Sequence, residues 1–275
     1  NYTFFSSSDQ TFTFNSSKPI LSLEKGGSIL KLTVIGYLGG YPAHGDATSS
    51  YLLESDNFKL LLDCGSGALL SLEEVADPLS LNAVLLTHYH SDHIADVGVL
   101  QYYWQLHANR HAEQILPIYG NTADKGHFAA LDWPGSSQGL GYYPEETLQL
   151  GPFEINFFRT QHPVVAYAVR IIEIKTGKVV VFTADTRYFE GLTAFCQNAD
   201  LLMADTNFFA AQTGKLWHMT STQSGKLAKD SRSKKLLLTH LPAVGDLKVL
   251  RAEALKACGN STPVLVASKH LTLEV

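Results

Sequence analysis

Residues 87–93, THYHSDH, constrain this chain more than any other stretch of its sequence. Four side chains that can bind metal fall within six positions: His88, His90, Asp92 and His93. An apolar run (82–88) precedes them, and apolar residues at helical spacing follow from Ile94, which predicts a strand, a turn and a helix. Alternate residues of an extended segment point the same way, so His88 and His90 can converge on one metal ion. Asp92 and His93, at the turn into the helix, can face a second ion.

Three further apolar runs end in the same way as the run before His88. The run LLLTH ends at His240, VVFTADT carries Asp185, and LLMADT carries Asp205. Chemistry in α/β proteins gathers where strands end and loops begin. The four strand ends therefore predict one shared site, assembled from distant parts of the chain.

The rest of the sequence alternates between strand and helix patterns. We predict a first strand over 30–38, a hairpin around 55–57 and a strand-rich second half from Phe153. The segment 134–146, dense in Gly, Pro and Ser, is predicted to be a loop. Residues 30–275 are expected to form a single domain. Residues 1–29 are interpreted as an extension outside it, either weakly ordered or of artificial origin.

Composition excludes several classes of protein. The net charge of −5 and pI near 6.1 argue against a domain that binds nucleic acid mainly by neutralising phosphates. The three cysteines, Cys64, Cys196 and Cys258, are widely spaced, which favours free thiols in a reducing cytoplasm. No apolar run approaches the length of a membrane span, and the first residues do not resemble a signal peptide. We therefore expect a cytoplasmic protein.

Several motifs together resemble those of the metallo-β-lactamase-fold hydrolases, and most closely the ribonuclease Z and phosphodiesterase branch. THYHSDH is similar to the signature of that fold, LLLDCGSG with Asp63 to its first motif, and TQHPVV with His162 to its third. VFTADT with Asp185 resembles the fourth motif and LLLTHLP with His240 the fifth. The segment WHMTST with His218, and MADTNF with Asp205, resemble a pair found in ribonuclease Z. The resemblance covers about residues 30–275.

The resemblance implies a four-layer αββα sandwich that holds two divalent ions, zinc or alternatively manganese. One ion would be held by His88, His90 and His162. The other would be held by Asp92, His93 and His240, with Asp185 bridging the two. Asp63 would orient a ligand imidazole or the attacking water.

The same resemblance implies phosphodiester hydrolysis by a metal-bridging hydroxide. Asp92, His218 and Asp205 are the candidate catalytic residues; His218, held by Asp205, would donate a proton to the leaving oxygen. Ribonuclease Z grips transfer RNA with a long basic arm, and no such insertion is visible in this sequence. A small phosphodiester or nucleotide-like substrate is therefore favoured over RNA.

Two other functions stay open. Lactone, carboxyl-ester or thioester hydrolases of this fold share H-x-H-x-D-H, so that motif alone does not separate them from phosphodiesterases. A non-enzymatic, metal-stabilised binding module is disfavoured, because such a module would not need His218. The resemblance also implies a homodimer, and no membrane partner is expected.

Overall fold

The computed structural model describes residues 29–111, 113–260 and 262–275. The predicted extension, apart from Ile29, lies outside the described residues. The described chain forms two seven-stranded sheets. The strands of the first sheet are β1 Lys31–Gly36, β2 Ser50–Ser55, β3 Phe58–Leu62, β4 Ala83–Leu85, β5 Leu116–Asn121, β6 Ser137–Tyr142 and β14 Thr272–Glu274, in the spatial order β14-β1-β2-β3-β4-β5-β6.

The second sheet and the helices complete the fold. The strands of the second sheet are β7 Leu148–Leu150, β8 Phe153–Arg159, β9 Tyr167–Glu173, β10 Val179–Phe182, β11 Leu201–Asp205, β12 Leu236–Thr239 and β13 Val264–Val266, in the reverse of their chain order. The helices are α1 Ala68–Glu73, α2 Ser91–Ile94, α3 Val97–Leu106, α4 Lys125–Ala129, α5 Glu190–Phe195, α6 Ser221–Asp230 and α7 Leu247–Ala257.

The strand sequences explain why the two sheets stack and why each also carries helices. Successive side chains of a strand point to opposite faces. In β2, Tyr51 and Leu53 enter a core shared with Phe153 and Phe182 of the second sheet, whereas Leu52 enters a separate core. Both faces of the strand are therefore buried, which accounts for its continuous apolar pattern.

The helices cover the outer faces of both sheets. Val97, Leu100 and Trp104 of α3 pack with Leu52 in the core outside the first sheet. Leu227 of α6 and Leu250 of α7 belong to the large core cluster on the side of the second sheet. The result is the predicted four-layer αββα sandwich. The helix predicted after His93 is also confirmed, as α3.

Strand direction fixes where functional side chains can meet. The neighbours β3, β4, β5 and β6 are parallel, as are β10, β11, β12 and β13. Parallel strands present their carboxyl ends at one edge of a sheet. The loops that follow β4 in one sheet and β10 to β12 in the other supply the candidate site described below.

The prediction of a loop over 134–146 is wrong. Residues 137–142 form β6, which pairs in parallel with β5 along its whole length. The glycines that suggested a loop serve close packing: a Cβ on Gly139 would lie 3.0 Å from Leu131 Cβ, and one on Gly141 would lie 2.7 Å from Thr122 Cγ2. Their lack of a side chain lets this edge strand lie against residues 122–132.

No helix in the described part of the chain combines the length and the apolar character that crossing a bilayer requires.

Candidate metal centre

The histidine-rich segment links β4 to α2 and places its four side chains in two ways. His88 and His90 lie in the connection, and His90 is the extended residue that precedes the helix. Asp92 and His93 lie on α2, which begins earlier than the sequence pattern indicates. His88 and His93 are fully buried, Asp92 is nearly so, and His90 remains partly exposed.

The second sheet delivers its side chains from neighbouring strand ends. Asp205 is the last residue of β11, while Asp185 and His240 follow β10 and β12 closely. Ala184 and His240 have positive φ angles of 48° and 50°. Residues other than glycine rarely adopt this backbone conformation, which costs about 1–3 kcal/mol. It is found preferentially at functional sites.

A first group of ligand-type atoms is formed by His88, His90, His162 and Asp185, which offer atoms within 4.8 Å of one another. Asp185 Oδ2 lies 3.6 Å from His88 Nε2 and 3.7 Å from His162 Nε2. His162 Nε2 lies 2.9 Å from His90 Nδ1. These are the residues that the sequence assigns to one ion.

A second group is formed by Asp92, His93, His240 and again Asp185. The other oxygen of Asp185, Oδ1, lies 3.1 Å from His93 Nε2 and 3.4 Å from His240 Nε2. Asp92 Oδ2 lies 3.1 Å from His240 Nε2. Asp185 thus turns one oxygen to each group, which is the geometry of a carboxylate shared between two ions.

Unpartnered buried atoms test whether the two groups suit metal ions. His88 Nε2, His93 Nε2 and Asp185 Oδ1 are buried without a hydrogen-bond partner. Buried polar atoms are almost always satisfied, and a site that binds an ion is one recognised cause of an exception. Imidazole nitrogens and carboxylate oxygens are the ligands that zinc accepts, and manganese also accepts carboxylates. The residues therefore fit a divalent metal at each group.

Asp63 fixes the orientation of two of these imidazoles. It accepts a hydrogen bond from His93 Nδ1 at 2.7 Å and one from the Thr87 hydroxyl at 2.9 Å. The Thr87 hydroxyl donates to Asp63, so its oxygen accepts from His88 Nδ1 at 3.1 Å. Both histidines are thereby held with Nε2 facing Asp185. Thr87 was not singled out by the sequence analysis.

Asp205 joins His218 to the second group. His218 Nδ1 donates to Asp205 Oδ2 at 2.9 Å, as the sequence pairing predicts. The other oxygen, Oδ1, lies 3.3 Å from His240 Nδ1, a contact that the sequence analysis missed. His218 is stacked against His240, with ring centroids 4.9 Å apart. A single buried carboxylate is therefore hydrogen-bonded to His218 and lies beside His240.

Burial and neighbouring charges set the protonation of these groups. Burial lowers the pKa of His162 to about 4 and also lowers the pKa of His88. Both are neutral near pH 7, which is the form that binds metal. Burial alone would raise the pKa of Asp185, but the nearby imidazoles, chiefly His240 and His93, hold it well below its usual range.

Three histidines beside carboxylates behave in the opposite way. Burial opposes the charge on His93, but the neighbouring carboxylates, chiefly Asp185, raise its pKa well above the ordinary value. Burial opposes the charge on His240, but Asp185 and Asp205 outweigh it and raise its pKa to about 10. Burial likewise opposes charge on His218, yet Asp205 raises its pKa above the ordinary value. The raised pKa of His218 favours its protonated form, which is suited to donate a proton, whereas His240 would have to release its proton to bind a cation.

The glycine-rich loop after β1 closes over the second group. The Gly40 backbone N–H donates to Asp92 Oδ2 at 2.7 Å. A Cβ on Gly39 would lie 2.6 Å from His240 Cε1 and 2.3 Å from Asn207 Nδ2. Asn207 in turn donates to the His240 carbonyl oxygen at 3.0 Å. In the sequence, this Gly–Gly pair indicates only the end of a strand. Its role at the site depends on contacts with residues that are distant along the chain.

Comparisons with known proteins identify the family of the chain. The model of the metallo-beta-lactamase superfamily matches residues 44–240. The Probable metallo-hydrolase YhfI of Bacillus subtilis (strain 168) is 44% identical over 227 residues, covering 82% of this chain and 92% of that protein. Ribonuclease Z of Thermoplasma acidophilum is 24% identical over 287 residues, covering 83% and 92%.

Solved structures give the same result for the fold. The crystal structure of YhfI from Bacillus subtilis superposes with a TM-score of 0.86 at 41% identity, over 90% of this chain and all of that one (100%). Human tRNase Z, short form, superposes with a TM-score of 0.69 at 19% identity, over 89% and 99%. At that low identity, the second match shows a shared fold.

Proposed function

This chain belongs to the metallo-beta-lactamase superfamily and is a metallo-hydrolase, and we propose that it is a dinuclear phosphodiesterase. The observation that carries the proposal is that two ligand groups share Asp185 and that His218, which forms a third group of ligand-type atoms with Asp185, Asp205 and His240, is hydrogen-bonded to Asp205. The ribonuclease Z relative supports the same chemistry. We assign the ligands as the sequence does: His88, His90 and His162 to one ion, Asp92, His93 and His240 to the other, and Asp185 to both.

The protein contributes positioning and proton transfer. Two divalent ions, zinc or manganese, would lower the pKa of a water molecule and neutralise the charge of the phosphoryl group. Asp92, held by Gly40 and His240, is placed to accept a proton from the attacking water. His218 donates its proton to the leaving oxygen, and Asp205 holds the imidazole in the required orientation.

Hydrolysis of bis(p-nitrophenyl) phosphate by the protein reconstituted with zinc or manganese tests the proposal. We expect turnover that disappears on chelation and returns when metal is added. A parallel assay with cyclic nucleotides, precursor transfer RNA and lactones defines the substrate class. Hydrolysis of lactones without hydrolysis of any phosphodiester would reject the phosphodiesterase assignment in favour of a lactone or ester hydrolase.

A further inference from the structure

A cavity of about 580 Å³ opens beside the metal centre, in the range typical of small-molecule sites. It is lined by His90, which links it directly to the first ligand group. Its other walls come from Tyr89, from α4 with the residues just before it, and from Val164 and Val165 in the β8–β9 connection. Of these lining residues, only His90 belongs to the metal centre.

One wall of this cavity is a fixed aromatic surface. Tyr89 stacks on His127, with ring centroids 5.4 Å apart and an interplanar angle of 11°. The Tyr89 hydroxyl donates to the Asn121 carbonyl oxygen at 2.7 Å, and a Cβ on Gly120 would lie only 2.3 Å from that hydroxyl oxygen. The close approach of β5 therefore holds Tyr89 in place. His127 Nδ1 is bound to Asp124 Oδ2 at 2.8 Å, and the His127 side chain is 52% exposed.

The remaining walls have a distinct chemical character. Val164 and Val165 add an apolar surface, Lys125 adds a positive charge, and the Asp124 carboxylate is taken up by its hydrogen bond to His127. Among residues 29–111, 113–260 and 262–275, no carboxylate forms a salt bridge with Lys125. Every nucleic-acid base has a flat π face, so any base can stack on aromatic side chains. A cation without a salt-bridge partner suits an anionic ligand. A nucleoside phosphate has both features.

The position of the cavity indicates which part of a diester it would take. The His218 ring lies near His162 and His240, with centroids 5.3 Å and 4.9 Å away, on the side of the proposed leaving group. The cavity is instead lined by His90, and His218 does not line it. A group seated there would be attached to phosphorus through the ester bond that is not broken.

We propose that this cavity binds the base of a nucleoside phosphodiester, in the ester group that the enzyme retains, with the Tyr89–His127 pair as its stacking surface. This inference rests on the proposed phosphodiesterase function and deepens it by naming the substrate class. His127 and Val164 are then specificity-determining residues, since both line the cavity and neither belongs to the metal centre.

Two esters with the same leaving group test the proposal. Thymidine 5′-(p-nitrophenyl phosphate) and methyl p-nitrophenyl phosphate differ only in the retained group. The metal-loaded wild type should have the higher kcat/KM for the thymidine ester. His127→Ala should lower that value about tenfold or more while leaving the methyl ester within about twofold. Val164→Trp, which fills the cavity, should act in the same direction.

His107→Ala is the matched control, because His107 also stacks on a tyrosine, Tyr103, with centroids 4.6 Å apart, and it does not line this cavity. It should leave both esters unchanged. Equal kcat/KM for the two esters in the wild type, or an equal loss for both in His127→Ala, would overturn the proposal.

A binding measurement separates this inference from the proposed function. If neither ester is hydrolysed, the phosphodiesterase proposal fails, and calorimetric titration with thymidine 5′-monophosphate decides the cavity. Binding that is about tenfold weaker to His127→Ala than to the wild type would support the nucleoside site. Equal binding to both proteins, or no binding to the wild type, would reject it.

Discussion

At the scale of single residues, the site separates three tasks among side chains of similar chemistry. Asp185 lies between two groups of imidazoles, Asp63 orients the imidazoles from behind, and Asp205 holds His218. All three carboxylates are nearly or completely buried. Burying an uncompensated charge is costly, so each acid depends on the histidines around it. The same residue types thus perform different tasks because of what each one touches.

Replacing His218 tests the proposed proton donor. His218→Ala should lower kcat about 10²–10⁴-fold for a diester with an alkyl leaving group, with metal content unchanged. The loss should be much smaller for p-nitrophenolate, which leaves without protonation. Kinetics across leaving groups and metal analysis provide the readout, with His107→Ala as the control. Metal loss, or an equal defect for all leaving groups, would show that His218 has another role.

Replacing Asp63 tests the orientation of the ligands. Asp63→Asn removes the charge that holds His93 Nδ1 and the Thr87 hydroxyl, so metal affinity should fall about 10–100-fold. The control is Asp200→Asn, which alters a nearly buried carboxylate that binds Val179 N and Lys234 instead. Competition with a chromophoric chelator measures the affinity. Equal affinities in the two variants would contradict the role given to Asp63.

At the scale of elements, short strands and tight turns bring the ligands together. The neighbouring strands β10, β11 and β12 end at one edge of the sheet. Asp205 is the last residue of β11, and Asp185 and His240 follow β10 and β12. The repeated strand-end pattern allowed this meeting to be predicted from sequence. The start of α2 at Ser91 could not be predicted, because it depends on backbone hydrogen bonds within the histidine-rich segment. The strand β6 could not be predicted either, because it depends on pairing with β5 and on the close packing of Gly139 and Gly141 against residues 122–132.

The loop after β1 provides a test at this scale. In Gly39→Ala the new Cβ would meet the His240 ring, so the ring or the loop must move and the second ion should bind more weakly. Gly45→Ala, in the same loop, is the control: its Cβ meets nothing within 4 Å, but its φ of 85° makes alanine strained. It should cost about 1–2 kcal/mol of stability and retain both ions. Equal metal content in the two variants would contradict the packing argument.

At the scale of the whole molecule, the fold is a means of holding the two halves of the site against each other. The first sheet supplies His88, His90, Asp92 and His93, and the second supplies the rest. The sandwich and its family were predictable because several different motifs that resemble those of the family are spread along most of the chain. The shape of the cavity beside His90 was not predictable, since Tyr89 and His127 meet only through the packing of α4 against the β4–α2 connection. The homodimer and the cytoplasmic location stay predictions.

Metal binding should therefore stabilise the entire domain. With free metal at about a thousand times Kd, each ion contributes about 4 kcal/mol, so removing both ions by chelation should lower Tm by about 20 °C. The raised pKa of His240, about 10, means that the metal-free site binds protons that metal must displace. Affinity, and with it the Tm difference, should decrease as pH falls. Scanning calorimetry with and without chelator between pH 8 and pH 5 measures this; a constant Tm difference would contradict it.

The most direct test of the central claim is anomalous diffraction at the zinc absorption edge from crystals of the zinc-loaded protein. The account predicts two anomalous peaks, one among His88, His90 and His162 and one among Asp92, His93 and His240, with an Asp185 oxygen bound to each. A single peak, or peaks away from Asp185, would contradict the dinuclear site.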